Sequence, residues 1–218
     1  MDENFWNARY AAAENVWSLT PNQFVVEHLS SLIEAKPAGK MLDLAGGEGR
    51  NALWFAMRGW QAEVIDFSSI ALEKFAARAA AAEAAEVEAG GKAGLASRCF
   101  GTVADATNPW QAKLAPADLL LVAYLQLEAA PLADAISAAV SQLAPDATVF
   151  IVNHALENLT RGAGGPQDGR YLQTIEQFEA LAGANRLKIE TLKLVERQFL
   201  AGEETKTAVD VILKGRLG

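Results

Sequence analysis

Met41-Leu-Asp-Leu-Ala-Gly-Gly-Glu-Gly-Arg-Asn51, followed fifteen residues later by Asp66 in Val64-Ile-Asp-Phe-Ser68, decides how this chain folds. The first stretch reads as a buried strand, a glycine turn and a helix start. The second reads as another strand that ends in a carboxylate. Such a unit builds a nucleoside-binding crevice at the carboxyl ends of parallel strands.

Working outward, apolar runs of strand length alternate with helical patterns, as βα units do. The first strand is read as Lys40–Ala45, a helix from about Arg50 to Arg58 stops at Gly59, and the second strand is Ala62–Asp66. Ser68 or Ser69 caps the next helix, where Leu72, Phe75, Ala76 and Ala79 recur at helical spacing and should face the sheet. That helix runs through Ala89 to Gly90-Gly91. Further strands are Arg98–Val103, ending at Asp105, the apolar run Asp118–Ala123, and Thr148–His154. A helix over Pro131–Leu143 precedes the last of these. After it come an irregular piece, Glu157–Arg170, and a short helix, Thr174–Leu181, capped by Thr174. Two closing strands, Leu187–Glu196 and Thr205–Lys214, are joined near Gly202, so they must be antiparallel neighbours. Ahead of the first strand, Asn4–Val16 and Pro21–Ala35 read as helices, with Pro21 at the opening position. The expected fold is therefore α/β: Rossmann-like and doubly wound, with a seven-stranded, mostly parallel sheet. It has an antiparallel C-terminal hairpin and an N-terminal helical cap, and is expected as one domain with residues 1–38 as the cap and 39–218 as the core.

The 218 residues are 51% hydrophobic, enough for a sheet covered on both faces. No run approaches the roughly 18 apolar residues of a membrane helix. The opening Met1-Asp-Glu-Asn4 lacks the basic and apolar regions of a secretory signal, and the single Cys99, read as a strand core residue, cannot form an internal disulfide. A cytoplasmic location is expected. The net charge of −8, without a Lys/Arg cluster, argues against nucleic acid. Two histidines and one cysteine, far apart, offer no metal-ligand spacing.

Gly47-Glu-Gly49-Arg-Asn-Ala52 matches the dinucleotide pattern G-x-G-x-x-A, with Asp66 at about the right distance, so an NAD(P)-dependent oxidoreductase is one reading. Asp43 inside the first strand, Glu48 where a diphosphate would lie, and the absence of a Tyr-x-x-x-Lys pair count against it. S-adenosylmethionine suits these residues better. It has no phosphate, and Asp43 would meet its ammonium. The turn amides near Arg50 and Asn51 would meet its carboxylate. Asp66 would take both ribose hydroxyls, and Asp105 the adenine amino group.

Leu42-Asp-Leu-Ala-Gly-Gly-Glu-Gly-Arg-Asn-Ala-Leu-Trp-Phe-Ala56, Gly59-Trp-Gln61, Ile65-Asp-Phe-Ser68 and Ala71-Leu-Glu-Lys74 resemble the class I S-adenosylmethionine-dependent methyltransferases. The narrower likeness is to the bacterial small-molecule branch that includes tellurite-resistance-type enzymes. Trp6-Asn-Ala-Arg-Tyr10, Val122-Ala-Tyr-Leu-Gln126, and His154 followed by Gly162-Ala-Gly-Gly-Pro166 extend it over nearly the whole chain. The resemblance implies that Asp43, Ala45, Gly47, Gly49 and Arg50 surround the methionine part, that Asp66 meets the ribose, and that Asp105 and Ala106 meet the adenine. Tyr10, Gly46, Asn51, Phe67, Ser68 and Ala123 complete the expected cofactor set. One departure is that the family's first turn glycine is Ala45, unfavourable if its φ is positive.

Methyl transfer from a sulfonium needs alignment above all, and a base only if the acceptor arrives protonated. His154, at the end of the fifth strand, is the candidate base, with shaping of the adjoining loop as its other reading. Tyr124 is the second candidate catalytic residue. His28 reads as a packing or surface residue. Trp6, Tyr10 and Trp17 either anchor the N-terminal helix or fold it over the cofactor, and the 162–166 glycine run is either a connection or a substrate lid. The expected activity is methyl transfer to an unidentified small molecule, with non-catalytic S-adenosylmethionine binding as the other alternative.

Overall fold

The computed structural model describes residues 3–218, so the first two residues of the opening Met1–Asn4 segment lie outside the described residues. Seven strands form one sheet in the order β3-β2-β1-β4-β5-β7-β6. The chain divides into two compact units, Met1–Leu119 and Leu120–Gly218. The boundary falls within β4, Ala117–Ala123.

In the first unit, α1 (Glu3–Ala12) and α2 (Gln23–Ala35) precede β1 (Lys40–Leu44), α3 (Arg50–Ala56), β2 (Gln61–Asp66), α4 (Ser69–Glu88) and β3 (Cys99–Val103). β1 pairs parallel with β2, and β2 with β3. Met41, Leu42, Leu44, Val64 and Ile65 are fully buried, which explains the unbroken apolar runs: a central parallel strand is covered on both faces. α2 is capped by the Asn22 side chain, which accepts from the Phe24 amide, so Pro21 stands ahead of the cap instead of opening the helix. Ser68 caps α4. The buried face of α4 is Ala71, Leu72, Phe75 and Ala79; Ala76 is exposed, because the stripe turns toward Ala71. Cys99 is half-buried on β3, at the sheet's edge, rather than in the core, and burial pushes its thiol up to about 11. Glu63 is buried on β2 without strain. Its oxygens accept the Thr102 hydroxyl at 2.6 Å and the Lys113 and Leu114 amides at 3.0 and 2.8 Å.

The second unit holds α5 (Ala129–Val140), β5 (Leu143–His154), α6 (Asn158–Arg161), α7 (Ile175–Ala184), β6 (Leu187–Ala201) and β7 (Glu204–Leu217). α5 begins two residues before Pro131, which is tolerated in a first turn whose N–H groups have no intrahelical partner. β5 starts five residues earlier than its apolar pattern, since Pro145 and Asp146 (φ 60) disguise its opening. α7 carries a full capping box between Thr174 and Gln177. β7 lies antiparallel between β5 and β6, with a bulge at Ile189/Thr191. The glycine-rich piece after β5 is pinned. Asn158, 2% exposed, accepts from the Val209 amide at 2.7 Å and donates to the Gly164 carbonyl at 2.8 Å, while the Ala163 amide donates to Thr207.

Candidate active site

At the carboxyl end of β1 the chain turns through Ala45, Gly46, Gly47, Glu48 and Gly49 into α3. Asp43 is fully buried just before this turn, with neither carboxylate oxygen in a hydrogen bond. Burial pushes its pKa up to about 7, against the lowering influence of the Arg50 guanidinium and the Ala52 amide. Gly46 is obligatory because a Cβ there would lie 2.7 Å from the Asp43 carboxyl carbon. Ala45 adopts φ 55, the left-handed conformation that its departure from glycine makes unfavourable.

Asp66, at the end of β2, supports the turn. Its Oδ2 accepts the Gly47 amide and its Oδ1 the Ser68 amide, each at 2.9 Å. Burial raises its pKa, and those two amides moderate the rise. Both oxygens thus have protein donors as well as any capacity for ribose hydroxyls. Phe67 is half-buried beside it, and Ser68 is fully buried, its Oγ accepting from Ala71 and donating to Asn7 at 2.5 Å.

The N-terminal segment packs on this turn. The Tyr10 hydroxyl stands where a Cβ on Gly47 (φ 57) would lie, 2.5 Å away, and burial raises its pKa to about 12. It accepts from the Trp17 indole at 3.4 Å, and the Arg9 guanidinium lies over the Trp6 and Trp17 rings at 5.1 and 5.2 Å. Glu48 overturns its sequence reading: it points toward the N-terminal segment. Its Oε2 accepts the Val16 and Trp17 amides, and its Oε1 pairs with Arg78 at 3.0 Å and Lys74 at 3.5 Å. Lys74 also reaches the Tyr10 and Ala13 carbonyls at 2.5 Å and so satisfies the end of α1. The Asn51 side-chain oxygen accepts the Asn22 amide at 2.9 Å and so ties α2 to α3. Arg50 donates to the Ser18 hydroxyl at 2.8 Å.

Asp105 does not end β3. It stands exposed two residues beyond, its oxygens accepting from Thr107 and from the Asn108 side chain, with buried Ala106 next to it. Ala123 is half-buried at the end of β4. His28 is half-buried on α2, 3.6 Å from Glu27.

In the second unit, His154 and Tyr124 meet, with ring centroids 4.9 Å apart. Two residues that the sequence reading missed join them. Asp210, fully buried on β7, places Oδ1 2.8 Å from His154 Nδ1 and accepts at Oδ2 from the Tyr124 hydroxyl (2.7 Å) and Arg197 Nε (3.1 Å). The signal was available: Asp210 interrupts the apolar run Val209–Leu213 just as Asp43 interrupts β1.

Residues 1–101 match the model of the family described as thiopurine S-methyltransferase (TPMT). Among curated proteins, no match is found. Among solved structures the chain is similar to magnesium protoporphyrin IX methyltransferase (ChlM) from Synechocystis PCC 6803, at 14% identity and a TM-score of 0.66, covering 99% of this chain and 94% of that one. It is similar to the N-methyltransferase NodS from Bradyrhizobium japonicum WM9, at 15% identity and 0.64, over 99% of both chains. It is also similar to TehB from Haemophilus influenzae, at 11% identity and 0.65, over 99% of this chain and 67% of that one. The ChlM and NodS structures hold S-adenosylhomocysteine, and the sheet order found here is that of the same Rossmann-like fold. Residues 1–101 are thus similar to the thiopurine S-methyltransferase family, and the chain as a whole shares the Rossmann-like fold of these solved methyltransferases.

Proposed function

We infer that the protein methylates a small molecule, and that the β1 turn is where its cofactor is held. Asp43 carries this reading. A buried carboxylate with no donor is costly unless it meets a cation or keeps its proton. The ammonium of S-adenosylmethionine is such a cation, so the residues present fit the group. Ala45, Gly46, Gly47 and Gly49 offer backbone approach around the methionine part, with Arg50 beside the carboxylate and Tyr10 over the turn. Asp66 and Phe67 would take the ribose, and Asp105 and Ala106 the adenine edge. Asn51 contributes through its backbone amide, since its side chain is engaged with Asn22, and Ser68 by holding Asp66 through its amide. Bound here, the cofactor supplies an electrophilic methyl group on a positively charged sulfur.

Tyr124 and His154 are the proposed acceptor-side residues. The acidic surface, net charge −8, favours a small acceptor over nucleic acid. No helix among the described residues is long and apolar enough to cross a membrane. With the lone cysteine, this supports a cytoplasmic enzyme. We read residues 1–218 as one catalytic domain with 1–38 as its cap.

Calorimetry with S-adenosylhomocysteine tests the reading. Wild type should bind, and Asp43→Asn and Asp66→Ala should bind more weakly. Wild type that gives no heat with this compound would overturn the site assignment.

A further inference from the structure

Arg197, on β6, is fixed at one end of its guanidinium and open at the other. Its Nε donates to Asp210 Oδ2 at 3.1 Å and to the Tyr124 hydroxyl at 3.0 Å. Among the described residues its terminal groups, Nη1 and Nη2, make no hydrogen bond or ion pair, and the side chain is 22% exposed. An arginine that served only to neutralise Asp210 would spend its paired donors on both carboxylate oxygens, the bidentate arrangement that is strongest. Here one oxygen meets Nε alone, and the two-donor edge is kept free. The guanidinium carbon lies 5.5 Å from the centroids of both the Tyr124 and Phe199 rings, so two aromatic rings border the group.

The surroundings hold this geometry. Tyr124 keeps φ 62, costly for an aromatic residue, with its amide donating to the Val152 carbonyl at 2.8 Å and its hydroxyl to Asp210. A Cβ on Gly164 (φ 74) would lie 3.0 Å from Phe199 Cζ, so the glycine run packs directly against that ring. Asn158 in turn fixes Gly164 by donating to its carbonyl at 2.8 Å. A guanidinium locked at Nε, with its planar two-donor edge presented outward, is pre-organised for a planar anion with two oxygens.

We propose that Arg197 sets acceptor specificity by anchoring a carboxylate of the methyl acceptor on Nη1 and Nη2. This rests on the methyltransferase reading. Both oxygens of a carboxylate so held are engaged by donors, so the group is a handle and the methylated atom lies elsewhere on the acceptor. The Tyr124 and Phe199 rings offer apolar surface to the acceptor's body beside that handle. A neutral amide of the same shape brings one acceptor oxygen and turns its own N–H donors against those of Arg197, so it is rejected.

Benzoate, benzamide and phenyl phosphate are the probes, titrated calorimetrically with and without saturating S-adenosylhomocysteine. Benzoate should bind about 10–100-fold tighter than benzamide, and Arg197→Lys, which keeps a cation beside Asp210 but loses the fork, should remove that preference. Crystals grown with benzoate should show its carboxylate on Arg197. Undetectable benzoate binding, equal affinity for benzoate and benzamide, a preference that survives Arg197→Lys, or tighter binding of phenyl phosphate each overturns the proposal. So does benzoate seated elsewhere in the crystal, or displaced by S-adenosylhomocysteine, since the two would then share one site. Absence of S-adenosylhomocysteine binding in wild type would instead remove the cofactor reading, and the benzoate comparison would still report on Arg197. If Arg197→Lys does not fold, the wild-type preference and the crystal still decide.

Discussion

Asp43→Asn should make the protein more stable and a worse enzyme. Moving a carboxyl from 3.8 to about 7 penalises its ionised form by about 4 kcal/mol. The folded chain keeps the Asp43 proton up to about pH 7, whereas the unfolded chain loses it near pH 4. Between those values the folded state therefore binds more protons, and stability falls as pH rises. Above about pH 7 the whole penalty applies. Asparagine removes it but brings a buried amide without a partner, costing about 1–3 kcal/mol, for a net gain of about 1–3 kcal/mol. In a chain of this size that is a rise in Tm of roughly 2–12 °C at pH 8, and no rise near pH 4, where wild-type Asp43 is already neutral. Affinity should move the other way. Losing a charge-assisted contact to the ligand's ammonium weakens S-adenosylhomocysteine binding about 10–100-fold. Wild type should also release a proton on binding near pH 7, visible as calorimetric heats that depend on the buffer's ionisation enthalpy. A variant less stable than wild type at pH 8, with unchanged affinity, would refute both halves of the reasoning.

Gly49→Ala would place a Cβ 2.2 Å from the Phe75 ring at φ 70, and should lose about 2–5 kcal/mol in urea denaturation through overpacking and left-handed strain. Ala45→Gly relieves the strained conformation at φ 55 while loosening the unfolded chain; it should be neutral or stabilising by up to about 1 kcal/mol, checked in the same experiment. Glu48→Ala removes the acceptor of the Val16 and Trp17 amides and the anionic partner of Lys74 and Arg78; it should cost about 3–5 kcal/mol and speed amide exchange over residues 3–20 relative to the sheet.

The strands and the closing hairpin could be foreseen because their cues are local. β1 and β4 are apolar runs, β1 is followed by the glycine turn and β2 by the Ser68 cap, and the turn after Ala201 is too short for anything but a hairpin. Ends were missed where a residue carries two meanings. Pro131 reads as a helix start but sits inside the first turn, and Pro145 and Asp146 read as a loop but sit in a strand. At the site, Asp43 and Asp66 were legible because carboxylates at strand ends stand out against apolar neighbours. The orientation of Glu48 was not, since its partners Lys74 and Arg78 lie a helix away in sequence. Nor was the Asp210–His154 pair, which depends on β7 returning beside β5 across 56 residues.

That return has a consequence during synthesis. Thr148–His154 of β5 find their antiparallel partners only in Asp210–Arg216. At ribosomal rates of ~5–20 residues per second, the roughly 60 residues between them take ~3–12 s to appear. Through that interval the nascent β5, rich in Val, Phe and Ile, has one ladder of amides and carbonyls without its mate, the template on which neighbouring polysomal chains aggregate. Slowing translation downstream of His154 should therefore raise dependence on trigger-type chaperones, while leaving the refolding of finished chains untouched.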